Sequence, residues 1–397
     1  TKDRYWLSGL SLSRKKGGST LEKNKEIERL RALAVMMVIV AHISFIQKFL
    51  YPPFYQSWSG VDLFFVISGF VVSNSLFRIL PKLSTVSSVF DRFNLSKNAL
   101  VLFYLKRMFR ILPLAILWIV IPPFLSLYFN HSGAAPQITR YQAYTEIFTA
   151  LSFQYNYACI YNAIPCLAGY YWSLSVEEHF YFILPLFLIF IKKDSTRFAW
   201  ALAIVVAILF VSRPLIPFHG RPESLWQWYR YASHNRFDTL FAGVCLALLH
   251  HHRKRSEPKF SKAPKIYGIV LASLLIVLLA LFPGAFLMEF PQHLLLTAQC
   301  FLSTFIVFLA SQERGYIFPF PIVKDLLEQI GLRSYGIYLI HVPAQWIALE
   351  TMYRMNWNWP PLLQLAFWLA TLGLLVELSH RLIERPLMAY GRSKLKS

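Results

Sequence analysis

Residues 266–282 read IYGIVLASLLIVLLALF, seventeen positions without a single charge. At about 1.5 Å per residue a helix of this length approaches the ~30 Å hydrocarbon thickness of a bilayer. Outward from this run the chain offers ten segments of comparable length: 31–50, 61–80, 108–128, 172–191, 197–213, 234–250, 266–282, 293–311, 334–351 and 362–382. The first, second and ninth are the least apolar. A span that carries Arg, His or Asp turns that face toward the bundle interior, because lipid cannot solvate it. The expected fold class is all-α, a polytopic transmembrane helix bundle of about ten spans.

Composition supports membrane over a soluble core. Of 397 residues, 56% are hydrophobic and only 15% charged, too little polar surface for a soluble domain of this size. Aromatics reach 17%, with 21 Tyr and 11 Trp, suited to interfacial belts and to stacking on sugar or acyl groups. On a soluble protein the net charge of +20 would point to nucleic acid. Here the basic residues lie between apolar runs, so the lipid bilayer is the expected partner and nucleic acid is not.

The loops give an orientation. With the N-terminus in the cytoplasm, Arg14-Lys15-Lys16, Lys106-Arg107, Lys192-Lys193, Arg253-Lys254-Arg255 and the tail residues Arg392, Lys394 and Lys396 fall inside. Outside fall only Lys48, Arg140, Arg213, Arg221, Arg230, Arg236 and Arg354, seven of the 40 basic residues. Both termini are therefore expected in the cytoplasm. The expected organisation is a basic N-terminal segment 1–26, a transmembrane domain 27–386 and a tail 387–397. The N-terminal segment has no apolar stretch ahead of a small-residue cleavage site, unlike a signal peptide. The linker from His250 to Lys265 reads as a topology anchor.

Four cysteines are present, and no pair has zinc-site or redox-motif spacing, so no metal is expected. Cys245 and Cys300 lie in apolar runs as packing residues. Cys159 and Cys166 share the 129–171 loop, on the expected outer side, where a disulfide is allowed but not dictated. That loop is long enough to have structure of its own and to cap a site.

Polar residues inside the spans mark the candidate site. Arg31 and His42 are eleven apart, almost three helical turns, so both leave one face about 16 Å apart along the axis. An imidazole at membrane depth suits a general base or an acyl carrier; its structural reading is a core His bonded to a carbonyl. Asp62, at the outer mouth of the second span, is placed to orient that imidazole or simply to favour a helix start. Arg107 and Arg110 share a face at the inner surface, a pairing suited to phosphates and equally to a positive-inside anchor. Adjacent carboxylates Glu177 and Glu178 point about 100° apart, so one partner readily meets only one of them. Ser173 shares a face with Glu177, and Trp172 is a stacking or belt residue. Arg236 and Asp238 sit at the outer end of the sixth span, Tyr338 and His341 halfway through the ninth. Glu377 and Arg381 form an i,i+4 pair, and Pro386 is expected to end the last helix.

Arginines inside, a deep His, and carboxylates with aromatics outside suit group transfer across a bilayer. Two other classes stay open on these residues alone: a transporter or flippase of a lipid-linked sugar with a proton-coupling His, and a sensory or scaffold protein. They are separated by a motif series: Arg31 and His42 with ten residues between them, GVDLFFVISGF at 60–70, the Arg107/Arg110 pair, WSLSVEEHFY at 172–181, RFDTLFAG at 236–243, SYGIYLIH at 334–341 and ERP at 384–386.

In order and spacing this series resembles the acyltransferase-3 family of membrane O-acyltransferases, from about Glu26 to Pro386. Members acetylate lipopolysaccharide O-antigen, peptidoglycan, exopolysaccharide, Nod factors and some small molecules. The resemblance implies an O-acetyltransferase of a bacterial inner membrane, with acetyl-CoA as donor and a cell-surface or lipid-linked glycan as acceptor. It implies that His42 is catalytic, supported by Arg31, and that Arg107 and Arg110 bind the acyl-CoA. Asp62, Glu177 and Glu178 are the further catalytic candidates. Tyr338 and His341 are expected on the donor side, and Trp172, Ser173, Arg236 and Asp238 on the acceptor side. His179 departs from the family, which often has Gln there. Some relatives carry a fused extracytoplasmic hydrolase-like domain, and the resemblance here is to the form without one.

Overall fold

The computed structural model describes residues 24–43, 58–81, 83, 85–215, 225–253, 264–286 and 291–394. The basic segment before Asn24, the end of the first expected span after Ile43, Lys48, Arg221, linker residues 254–263 and the last three residues lie outside them.

Every described element is helical. In chain order they are α1 (Lys25–His42), α2 (Ser59–Ile79), α3 (Val89–Tyr128), α4 (Arg140–Leu151), α5 (Tyr155–Ile160), α6 (Tyr171–Phe190), α7 (Asp194–Ala207), α8 (Leu225–Tyr231), α9 (Ser233–Arg253), α10 (Lys265–Phe286), α11 (Gln292–Ser311), α12 (Pro321–Leu332), α13 (Ser334–Arg354), α14 (Pro361–Ser379) and α15 (Arg385–Lys394). A π-helical turn, Ile208–Ser212, extends α7, and another, His380–Glu384, joins α14 to α15.

Among the described residues, six stretches are long and apolar enough to cross a membrane: Ser59–Ile79, Val89–Tyr128, Tyr171–Phe190, Asp194–Leu215, Gln292–Ser311 and Pro361–Lys394. Helices α1, α9 and α13 also stand where spans were expected, but each carries charge along its length. Glu26, Glu28 and Arg29 of α1, Arg236 and Asp238 of α9, and His341, Gln345 and Glu350 of α13 are all buried. Apolar side chains cover the outside instead: Ile116, Val120 and Phe124 of α3, Phe210 beyond α7, Val270 and Leu274 of α10, and Leu362 and Leu374 of α14 are exposed. Polar inside and apolar outside is the arrangement lipid requires. The chain is an integral membrane protein.

The inner framework is α2 with α1, α9 and α11 packed around it. Helices α2 and α9 cross where Gly69 faces Gly243. A Cβ on Gly69 would meet the Leu240 carbonyl, and one on Gly243 would meet the Val66 carbonyl. Only a missing side chain at both points allows this approach.

Several expectations need correction. Helix α3 begins at Val89, not near 108; Ser88 caps it, and Arg92 reaches across to the Ile189 and Phe190 carbonyls at 2.6 and 2.8 Å. Together with Arg197, which bonds the Leu188 and Ile191 carbonyls, it satisfies the open C-terminal carbonyls of α6. Pro386 does not end the last helix. It is the second residue of α15, directly after the π-turn has already broken the usual backbone ladder, so its missing N–H leaves no bond unmade. The expected tail is therefore mostly helix to Lys394, with Gly391 packed on Phe109 of α3.

The 129–171 loop holds α4 and α5, and Cys159 is bonded to Cys166, with Cα atoms 5.6 Å apart. Buried Glu146 of α4 ties this loop together: its carboxylate accepts from the Leu167 N–H at 2.8 Å and from the Tyr155 hydroxyl. Burial raises the Glu146 pKa above the ordinary carboxylate value, and these hydrogen bonds oppose the rise. At the loop's other end, Glu350 of α13 accepts from the His131 and Ser132 backbone at 3.0 and 2.7 Å.

Candidate active site

Two chambers lie back to back in the bundle. The inner one, about 100 Å³, is walled by Arg31 of α1, Arg107 and Arg110 of α3, Glu177, Glu178 and Tyr181 of α6, and Tyr335 of α13. The outer one, about 250 Å³, is walled by His42, Trp58, Tyr170, Trp172, Arg230 and Tyr231. Each volume exceeds the ~10–15 Å³ that one water needs. Val61 and Tyr338 line both, so they form the wall between them.

The inner chamber gathers residues from helices distant in sequence. The i,i+3 spacing brings both Arg107 and Arg110 to it. The Arg107 guanidinium lies 4.7 Å from the centre of the Tyr181 ring. The Tyr181 hydroxyl donates to Glu177 at 2.6 Å and meets the Ser68 hydroxyl at 2.9 Å. Arg31 forms a looser pair with Glu28, 3.6 Å apart. Both Glu177 and Glu178 line the chamber despite their 100° divergence, because it wraps around that side of α6. Glu178 also borders an apolar recess between α3 and α6, beside Ile116 and Leu151.

Tyr338 closes the dividing wall. Its hydroxyl donates to the Tyr170 carbonyl at 2.9 Å and lies 2.6 Å from the Ser173 hydroxyl, tying α13 to the start of α6. Sequence reading placed Tyr338 with the donor and Ser173 with the acceptor; the fold brings them together at the boundary.

His42 is the last residue of α1. Its Nδ1 lies 2.8 Å from the Val38 carbonyl, which can only accept, so this bond uses a proton on Nδ1, and the neutral form of the ring then carries its lone pair on Nε2. The rings of Trp58 and His341 stand edge-on to it, at 5.8 and 4.9 Å between centroids. His341 is fully enclosed. Its Nδ1 lies 2.6 Å from the Tyr338 carbonyl, and its Nε2 has no hydrogen-bond partner among the described residues. His341 thus belongs beside His42 rather than among the inner arginines.

Three acceptor-side or catalytic candidates fall into buried ion pairs. Asp62 bonds Arg236 at 2.8 Å, both 2% exposed, and not His42. Asp238 bonds Arg213 at 2.8 Å with neither exposed. The physical reason is proximity: α9 lies against α2 and the end of α7, and a buried carboxylate takes the nearest guanidinium. Asp238 lines neither chamber; Arg236 borders a small side recess. Trp172 lines the chamber of His42, stacked on Tyr231 at 5.1 Å.

Sequence reading passed over Trp58, Tyr170, Arg230 and Tyr231. The aromatic run WQWYRY at 226–231 was the available signal, but Arg230 was counted only as an outer-loop charge.

A membrane-embedded helix bundle with a guanidinium-lined chamber on one side of a wall and a histidine-lined chamber on the other defines a membrane enzyme. The acyltransferase-3 family, described as an acyltransferase domain, matches residues 24–377, and the chain belongs to that family. It is 28% identical over 384 residues to a peptidoglycan O-acetyltransferase, OatA, of Listeria monocytogenes, covering 92% of this chain and 56% of that protein. It is 24% identical over 377 residues to an O-acetyltransferase, OatA, of Staphylococcus aureus, covering 92% and 57%. The chain thus spans little more than half the length of these relatives. No solved structure matches it.

Proposed function

We propose that this protein is an O-acetyltransferase that takes an acetyl group from acetyl-CoA on the cytoplasmic side and delivers it to a glycan hydroxyl on the other side. A peptidoglycan-type acceptor is favoured by the Listeria relative's name. The basic loops support a reading in which the inner chamber faces the cytoplasm of a bacterial inner membrane, with about ten spans and both termini inside. The observation that carries this reading is the pair of chambers meeting at Tyr338.

In this reading Arg107 and Arg110, with Arg31, bind the donor's phosphates, since guanidinium groups match phosphate oxygens in charge and geometry. The thioester reaches past Tyr338 toward His42. His42 then acts in one of two ways. As base, Nε2 takes the acceptor hydroxyl's proton while that oxygen attacks the thioester carbonyl; the C–S bond breaks and the leaving thiolate takes up a proton. As carrier, Nε2 itself attacks the carbonyl and releases the thiolate; the hydroxyl then attacks the acetyl-imidazole and its proton is lost to water.

The test is to incubate membranes containing the protein with acetyl-labelled acetyl-CoA and to measure label covalently bound to glycan. Label is expected with the natural chain and lost with His42→Ala. Full labelling by His42→Ala would overturn the assignment of His42, and absence of label with the natural chain would overturn acetyl transfer to glycan.

A further inference from the structure

Three arginines are buried on neighbouring segments: Arg213, Arg230 and Arg236, of which Arg230 lines the outer chamber and Arg236 the recess beside it. Two have carboxylate partners, Arg213 with Asp238 and Arg236 with Asp62, each at 2.8 Å. Arg230, only 6% exposed, has neither an ion pair nor a hydrogen bond among the described residues. Among the described residues, three positive charges against two negative leave one cation without a counter-charge. A buried charge without a partner is among the costliest features a protein can keep, and an anion entering the chamber would compensate it.

The geometry around Arg230 leaves its donors open to such a ligand. The guanidinium lies 3.6 Å from the centre of the Trp58 ring and 4.8 Å from that of Trp226. Such stacking engages the faces of the group, while the N–H bonds lie in its plane and stay available. Arg230 lines the outer chamber together with His42, and also the side recess where Arg236 and Gln299 stand. The Nε and Nη1 atoms of Arg236 are likewise without hydrogen-bond partners. Across the chamber, Trp172 stacked on Tyr231 offers an aromatic wall of the kind that packs on sugar rings.

Resting on the proposed acetyl transfer, we propose that Arg230 reads an anionic group, a carboxylate or a phosphate, carried by the acceptor sugar. The acceptor is then an acidic glycan. Its charge seats on Arg230, with Arg236 beside it, its ring lies along the aromatic wall, and a neighbouring hydroxyl faces His42. Trp58, packed between His42 and Arg230, fixes the spacing between the charge and the reacting oxygen.

The experiment uses the full chain in nanodiscs with three matched probes. These are a hexosamine disaccharide bearing an ether-linked carboxylate, its carboxamide counterpart, and its phosphate monoester. Acetyl transfer is measured as kcat/KM for each, and binding without acetyl-CoA by quenching of tryptophan fluorescence. The natural chain is expected to favour an anionic probe about 10- to 100-fold over the amide, the size of one charge-assisted contact. Preference between carboxylate and phosphate identifies which anion is read. Arg230→Gln is expected to lose the preference, raising KM for the anionic probes about 10-fold or more beyond any change in KM for the amide. Arg230→Lys is expected to keep part of it, which guards against a folding defect. A preference intact in Arg230→Gln, an equal loss on all three probes, or no difference among probes in either assay overturns the proposal. Charge-selective binding without transfer to any probe would sink the acetyltransferase reading while leaving the anion subsite standing.

Discussion

The rings of His42 and His341 stand 4.9 Å apart, edge to face, although 299 positions separate them in the chain. Each fixes its Nδ1 proton on a carbonyl of its own helix, Val38 for one and Tyr338 for the other. In the proposed reaction His341 positions the His42 imidazole. Replacing His341 by Phe keeps a ring against His42 but removes the tie to Tyr338. Transfer is expected to fall about 10- to 100-fold, as a small misplacement of a reacting group does, with KM for acetyl-CoA unchanged. An effect on KM alone would show that His341 acts on the donor instead.

Loss of the inner arginines should have the opposite signature. Arg107→Gln or Arg110→Gln is expected to raise KM for acetyl-CoA about tenfold or more, the weight of a charge-assisted hydrogen bond, while acceptor KM stays constant. Steady-state kinetics with each substrate varied in turn checks this. Lysine should restore part of the binding at either position, since it keeps the charge without the forked geometry.

The Asp62–Arg236 pair predicts stability rather than chemistry. Asp62→Asn leaves a buried guanidinium uncompensated and should cost about 3–5 kcal/mol, read as a lower unfolding temperature in detergent. Replacing both, as Asp62→Leu with Arg236→Met, should recover most of the loss. If Asp62→Asn instead unfolds normally but is inactive, Asp62 has a direct part in the reaction.

The α2–α9 crossing is expected to be intolerant of size. Gly69→Leu or Gly243→Leu would drive a side chain into the opposing backbone carbonyl, where no rotamer relieves the clash. Overpacking of this kind costs at least about 1–3 kcal/mol, and expression of monodisperse protein reports it.

The outer loop gives a redox prediction. The Cys159–Cys166 bond closes the turn just before Leu167, Gly169 and Tyr170, which line the chamber of His42. Replacing both cysteines by Ser should weaken acceptor binding severalfold and leave acetyl-CoA binding alone. Glu146→Ala, which removes the acceptor for Leu167, should do the same, whereas Glu146→Gln keeps one carbonyl oxygen and should be mild.

Much of this site was readable from residue order because it rests on local spacing. Arg31 and His42 had to share a helix face, and Arg107 and Arg110 had to meet a common space, because helical periodicity leaves no other outcome. The apolar runs likewise fixed an all-helical membrane protein. What stayed hidden was pairing between distant segments. Asp62 lies 174 positions from Arg236, and nothing near either one says that the carboxylate will choose that guanidinium over His42.

The chain's own sequence therefore determined the solvent it folds in, the helices it forms and the chemistry available on each face, since these depend on hydropathy and a repeat of 3.6 residues. Only the tertiary structure decided that the arginines and the histidine occupy separate chambers, that Tyr338 stands between them, and that Arg230 has no counter-charge among the described residues. Those outcomes depend on how closely helices approach, and that is set by the packing of the whole bundle at points such as Gly69 and Gly243.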